Sequence, residues 1–231
     1  MTTDGLLPGL TIRQPRGPVR AVALIAHGGR SRSTAPATRL QLTAVRMYPF
    51  LHGLHTAGRG SGLAVAQLRY RLVGYNDGDP VHDVQWAVDR LAERFGPVPV
   101  CLLGHSMGGR ASLRAAGHPA VGSVVALAPW LPSGEPVSQL AGRTVVIAHG
   151  ERDRVTDPAG SLDYALRGHA VADRLCRFQI ARSGHAMLER APIWHRLARD
   201  AVMGLLGLRP LPAAVENGFA RPAAQAARIV L

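Results

Sequence analysis

Ser106 stands in the run CLLGHSMGGR, Cys101–Arg110, with Gly104 and Gly108 completing a G-x-S-x-G pattern around it. That pattern belongs to a sharp turn that exposes the hydroxyl, with glycines where neighbouring backbone comes close. A Gly- and Ser-rich turn can also be plain tight packing, so the pattern gains meaning only from partners elsewhere. A serine hydroxyl is a poor nucleophile until an imidazole accepts its proton, and the imidazole needs a carboxylate on its other nitrogen to fix its tautomer. Both groups occur downstream. The run HGERDRVTDP, His149–Pro158, offers Glu151, Asp153 and Asp157, and the run ARSGHAML, Ala181–Leu188, offers His185. Upstream, His27, Gly28 and Gly29 form a glycine turn. Serine, acid and histidine therefore follow one another in one of the known chain orders for this chemistry.

Each of these groups sits where an apolar run ends. Strand candidates cover Ala21–Ala26, Leu63–Leu68, Val98–Leu103, Val121–Leu127, Thr144–Ala148 and Leu175–Ile180, with a weaker one at Leu10–Arg13. Unbroken apolar runs of this length suit strands buried on both faces. Helical stripes lie between them, clearest at Pro80–Phe95 and His185–Leu208, and a shorter helix is expected from Met107 to Gly117. Strands alternating with helices predict an α/β, doubly wound, mostly parallel sheet covered on both faces. Such a sheet gathers its chemistry at the carboxyl ends of its strands, which is where the glycine turn, Ser106, the acidic run and His185 fall.

With HGG after an early strand, GHSMGG at the turn, GERD after a later strand and SGH after the last, the chain resembles the α/β-hydrolase family in its serine-hydrolase branch. The resemblance extends to about Leu208. It implies Ser106 as nucleophile, His185 as general base and Asp153 as the acid that orients it, with the backbone N–H groups of Met107 and Gly29 forming an oxyanion hole. Gly150, Asp153 and Pro158 fit the family's placing of the acid. Asp157, immediately before a proline, then reads as the cap of the next helix. His27, His105 and His149 read as groups that shape the site by packing and hydrogen bonding. The remaining histidines lack ligand spacing. The implied activity is cleavage of a small-molecule carboxylic ester or thioester, with no cofactor and no metal. An acyltransferase or peptidase with the same three groups, or a non-catalytic ligand-binding member of the fold, stays open beside it. The short connection Leu131–Gly142 leaves no room for the helices of a cap.

Composition narrows the partners. With 231 residues, 47% of them hydrophobic, the chain can bury one sizeable core. Residues 1–208 read as a single domain, and residues 209–231 as a C-terminal extension that packs a last element or stays loose. The formal charge of +12 invites a nucleic-acid reading, but the arginines form no run and aromatics are only 5% of the chain. No nucleic-acid partner and no membrane span are expected, and the N-terminus has no leader pattern, so the expected location is cytoplasmic. Cys101 and Cys176 lie in apolar runs and read as buried free thiols. Arg30 and Arg32, just after the glycine turn, could pair with an anionic substrate group or stand solvated. The oligomeric state is not written in these patterns.

Overall fold

The computed structural model describes residues 6–231, so the reading of the N-terminus falls partly on residues outside the described ones. Seven strands follow the apolar runs: β1 (Gly9–Arg13), β2 (Ala21–Ala26), β3 (Leu63–Arg69), β4 (Val100–His105), β5 (Val121–Leu127), β6 (Thr144–Gly150) and β7 (Arg174–Ile180). A short β8 (Ile229–Val230) closes the far edge. The sheet order is β1-β3-β2-β4-β5-β6-β7-β8, with β1 antiparallel to β3 and every other pair parallel.

β2 shows why the sheet is covered on both sides. Val22, Leu24 and Ala26 point into one core with Val84, Val88 and Leu91 of α3 (Asp79–Phe95). Ala21, Ala23 and Ile25 point into the other, with Phe50 and Leu54 of α2 (Tyr48–Gly58) and Trp194 and Ala198 of α6 (Ala191–Leu205). Every residue of β2 is buried. Burying a Val, Leu or Ile side chain contributes roughly 1.5–3 kcal/mol, so a strand apolar on both faces is stable only between two helical layers.

Two expected helix boundaries shift, and two helices were not expected. The last long helix begins at Ala191, not His185, because Met187 and Arg190 adopt left-handed φ values of 59° and 60° and Leu188 faces solvent. The helix after Ser106, α4 (Met107–Arg114), ends early and passes into a 3-10 turn over Ala115–Gly117. α2 and the single turn α1 (Leu42–Val45) carry too weak a stripe to read from sequence.

The connection Leu131–Gly142 contains one 3-10 turn, Ser138–Leu140, and no inserted helical cap. The segment from residue 209 packs against the sheet: α7 (Ala213–Phe219) and α8 (Ala223–Ala226) lead into β8, whose Ile229 pairs with Phe178 of β7. Among the described residues no helix is long and apolar enough to cross a membrane.

Candidate active site

The chain runs leftward from β2 to β3 and then crosses to β4 on β2's other side, so β2 and β4 lie side by side with Ala26 opposite Gly104. Loops at such a switch point diverge and leave a crevice at the strand ends. The glycine turn leaves β2 there, and Ser106 leaves β4 beside it.

Ser106 has φ 56° and ψ −119°, a conformation that costs a non-glycine residue on the order of 1–3 kcal/mol. Its backbone is held from both sides. Its N–H donates to Leu127 O at 3.0 Å, and its carbonyl accepts from Trp130 at 3.1 Å and Arg110 at 3.2 Å. The flanking glycines are required by contact: a Cβ on Gly104 would meet Gly108 O at 2.3 Å, and one on Gly108 would meet Ala26 O at 2.3 Å. Although Ser106 precedes α4, its side chain caps no helical N–H. The hydroxyl is therefore free to face His185.

His185 Nε2 lies 3.0 Å from Ser106 Oγ, and its Nδ1 lies 2.7 Å from Asp153 Oδ2. An ionised carboxylate only accepts, so Nδ1 carries the proton and Nε2 is left to accept from the serine. The Asp153 side chain is fully enclosed, that of His185 is 13% exposed, and Ser106 is 8% exposed.

Burial alone would push the Asp153 carboxyl upward. Hydrogen bonds from His149, from His185 and from the Thr156 and Val155 backbone outweigh burial and hold it well below the usual carboxylate range. Val155 N and Thr156 N donate to Oδ1 at 2.8 and 3.0 Å, and Thr156 Oγ1 donates to Oδ2 at 2.9 Å. Thr156 Oγ1 also lies 3.1 Å from His185 Nδ1.

His105, beside the serine, donates from Nε2 to His185 O at 3.1 Å, which steadies the histidine loop. Burial, together with the charge of His185, pushes the His105 imidazole down to about 3. His27 is likewise lowered by burial, to about 4, against a hydrogen bond to Gly28 O. Both rings stay neutral at ordinary pH.

The glycine turn is as tight as the serine turn. A Cβ on Gly29 would strike Val73 O at 2.4 Å and the Met107 thioether at 2.5 Å, and one on Gly28 would come within 3.3 Å of Ser106 Cβ. Neither Gly29 N–H nor Met107 N–H has an acceptor among the described residues. Trp130 and Tyr75 meet edge to face at 5.6 Å on the neighbouring loops. The Arg110 guanidinium lies 4.0 Å from the Tyr75 ring and 4.7 Å from the Trp130 ring, and pairs with Glu135 at 2.8 Å. A hollow of about 410 Å³ opens between Trp130–Ser133 and Val155–Gly160. Another, of about 320 Å³ and nearly all apolar, lies between α6 and the start of α7 and shares no residue with the Ser106 cluster.

The structure thus brings Ser106, His185 and Asp153 into one hydrogen-bonded chain, with Gly29 and Met107 beside the serine. Glu151 is turned away and accepts from Arg182 N at 2.8 Å. Asp157 caps α5 (Pro158–Gly168), accepting from Ala159 N at 2.9 Å. Arg30 and Arg32 are exposed and join no ion pair among the described residues. The contact of His149 with Asp153 was not legible: its place four residues before the acid on a strand end carries no recognisable spacing. Cys101 and Cys176 are buried and free, and burial pushes the Cys101 thiol up to about 12. Among the described residues no group of three or more His, Cys, Asp or Glu could hold a metal ion.

No family's sequence profile and no curated protein matches the chain. Solved structures do. An α/β serine hydrolase homologue from Coxiella burnetii superposes with a TM-score of 0.63 at 16% identity, covering 83% of this chain and 90% of that one. Est1E from Butyrivibrio proteoclasticus, with ferulic acid bound, gives 0.66 at 13% identity, covering 89% and 98%. An α/β serine hydrolase without a lid from Xanthomonas campestris gives 0.64 at 18% identity, covering 89% and 90%. With its sheet order, its serine and glycine turns at adjacent strand ends and its uninterrupted connection after β5, the chain has the α/β-hydrolase fold in a form without a cap.

Proposed function

We propose that this protein is a serine hydrolase that cleaves a carboxylic ester or thioester through an acyl-enzyme. The observation that carries the reading is the unbroken chain from Ser106 Oγ through His185 to Asp153, at 3.0 and 2.7 Å, on a serine whose backbone is held off its preferred conformation. The serine hydrolase and esterase descriptions of similarly folded structures agree with it.

In this reading His185 Nε2 takes the Ser106 proton as Oγ attacks the acyl carbon. The imidazolium so formed is stabilised by the buried Asp153 carboxylate, which stays ionised throughout. The negative oxygen of the tetrahedral intermediate accepts from the Met107 and Gly29 N–H groups; loss of one such donor typically costs about 10²- to 10³-fold in rate. His185 then protonates the leaving alcohol or thiol. Water, deprotonated by the same nitrogen, attacks the acyl-serine, and the imidazolium returns that proton to Ser106 Oγ as the second intermediate collapses and releases the acid.

The absence of a cap sets the expected substrate. A lid would remove a long acyl chain from water, a gain of about 0.8 kcal/mol per buried CH₂ that an open cleft forgoes beyond the first carbons. With p-nitrophenyl esters, kcat/KM is expected to peak between acetate and hexanoate, and Ser106→Ala is expected to abolish turnover at every length. A steady rise out to palmitate contradicts the open cleft, and turnover retained by Ser106→Ala contradicts the whole reading.

A further inference from the structure

A cavity of about 460 Å³, within the range of small-molecule sites, opens at the sheet edge between β1, the loop before α1, and α2. Its polar lining is Thr11 and Arg13 of β1, Arg39 of the loop, and Tyr48, His52 and His55 of α2, over a floor formed by Leu51. No carboxylate lines it, and neither arginine joins an ion pair among the described residues. A narrower crevice shares Thr11, Arg39 and Tyr48 and reaches Gln67.

Two polar atoms here lack partners. His55 Nδ1 is buried without a hydrogen bond, and so is Gln67 Oε1, while Gln67 Nε2 donates to Ala44 O at 2.8 Å. Cationic groups gathered without a counter-charge repel one another, and the repulsion is felt by His55. Burial first, then the charges of Arg59, Arg13 and His52, lower its proton affinity. The other groups around α2 offer no relief: Arg209 reaches the Ala57 carbonyl at 2.8 Å, and His195 packs on Phe50 with ring centres 4.3 Å apart.

We propose that this cavity binds a phosphate monoester, its phosphate held by Arg13, Arg39 and the two imidazoles. Several N–H donors without an acid suit the three terminal oxygens and double charge of a phosphate. Binding replaces repulsion by attraction at His55, so the complex takes up protons. The site is separate from Ser106 and does not depend on the hydrolase reading.

Calorimetry on the full chain with glycerol 3-phosphate, and co-sedimentation with phosphatidic acid vesicles against neutral vesicles, separate a soluble ester from a lipid headgroup. The expected result is one-site binding to at least one probe, weakened about 30-fold or more in an Arg13→Gln, Arg39→Gln double variant and unchanged in Arg94→Gln on α3, a loss of about 2 kcal/mol. Binding of neither probe, or binding that the double variant keeps, overturns the site. Sulfate, doubly charged across the range, serves for a pH series. Its affinity is expected to rise at least about five-fold from pH ~7.5 to ~5.5, and the rise to vanish in a His52→Gln, His55→Gln variant. A flat profile in the unmodified protein overturns the role of the imidazoles.

Discussion

His149 Nε2 lies 3.2 Å from Oδ2 of Asp153, the same oxygen that His185 Nδ1 approaches at 2.7 Å. His149 Nε2 also lies 3.1 Å from the Thr156 carbonyl, which can only accept, so that nitrogen carries the proton and donates to both oxygens. The acid thus holds two imidazole donors at once, one enclosed and one at the mouth of the site.

In the proposed mechanism His149 positions Asp153, and its loss is expected to be felt at His185. His149→Gln keeps a donor in place and is expected to retain activity within a few-fold. His149→Phe keeps volume without the donor and is expected to lower kcat about 10- to 100-fold with little change in KM. Asp153→Asn should cost about 10⁴-fold in kcat. Asp157→Ala should leave kcat alone and cost about 1 kcal/mol of stability as a lost cap. Equal kinetic losses in Asp153→Asn and Asp157→Ala would contradict the assignment, as would an unchanged kcat in His149→Phe.

The buried imidazoles make the fold acid-sensitive. His27 and His105, pushed down to about 4 and about 3, stay neutral in the folded chain while their unfolded counterparts take up protons near 6.5. Between those values the unfolded state binds more protons, so stability falls as pH drops, by up to about 1.4 kcal/mol per pH unit for each ring. Their contribution is fully present above about 6.5. The depressed Asp153 carboxyl adds a further loss below about pH 4, with the same sign. Denaturant unfolding from pH ~7.5 to ~4.5 should show this slope, and His27→Asn should remove about one proton from it. A slope that His27→Asn leaves unchanged would refute the linkage.

Arg177 ties the C-terminal segment to the domain. It is 2% exposed, and its guanidinium donates to Ser161 Oγ at 2.9 Å, Pro158 O at 3.1 Å and Ala227 O at 3.2 Å. Burial lowers it to about 10. A chain ending at residue 222 removes the Ala227 acceptor and bares the β7 edge. It is expected to lose on the order of 3 kcal/mol, measured as a lower denaturant midpoint. An unchanged midpoint would mean that this segment is only draped over the sheet.

The strands were legible because a strand buried on both faces is apolar at nearly every position. β2 and β5 begin and end where the apolar runs do. The His185 loop was misread as helix because Leu188 and Ala191 fall on a helical stripe by spacing alone; only the left-handed backbone of Met187 and Arg190 breaks it. The partners of His149 and the role of Arg177 were hidden for a different reason. Each depends on a partner brought near by folding, Thr156 and Asp153 for one and Ala227 for the other, and neither interval has a periodicity to read. The arginines looked dispersed along the chain, yet folding collects Arg13 and Arg39 into one cavity.

The central claim is that Ser106 is the nucleophile, and the most direct measurement is labelling of the folded protein with a fluorophosphonate, followed by peptide mass mapping. One adduct is expected, on Ser106, formed rapidly in the unmodified protein, far more slowly in His185→Ala, and not at all in Ser106→Ala. An adduct on another residue, or none on correctly folded protein, would contradict it.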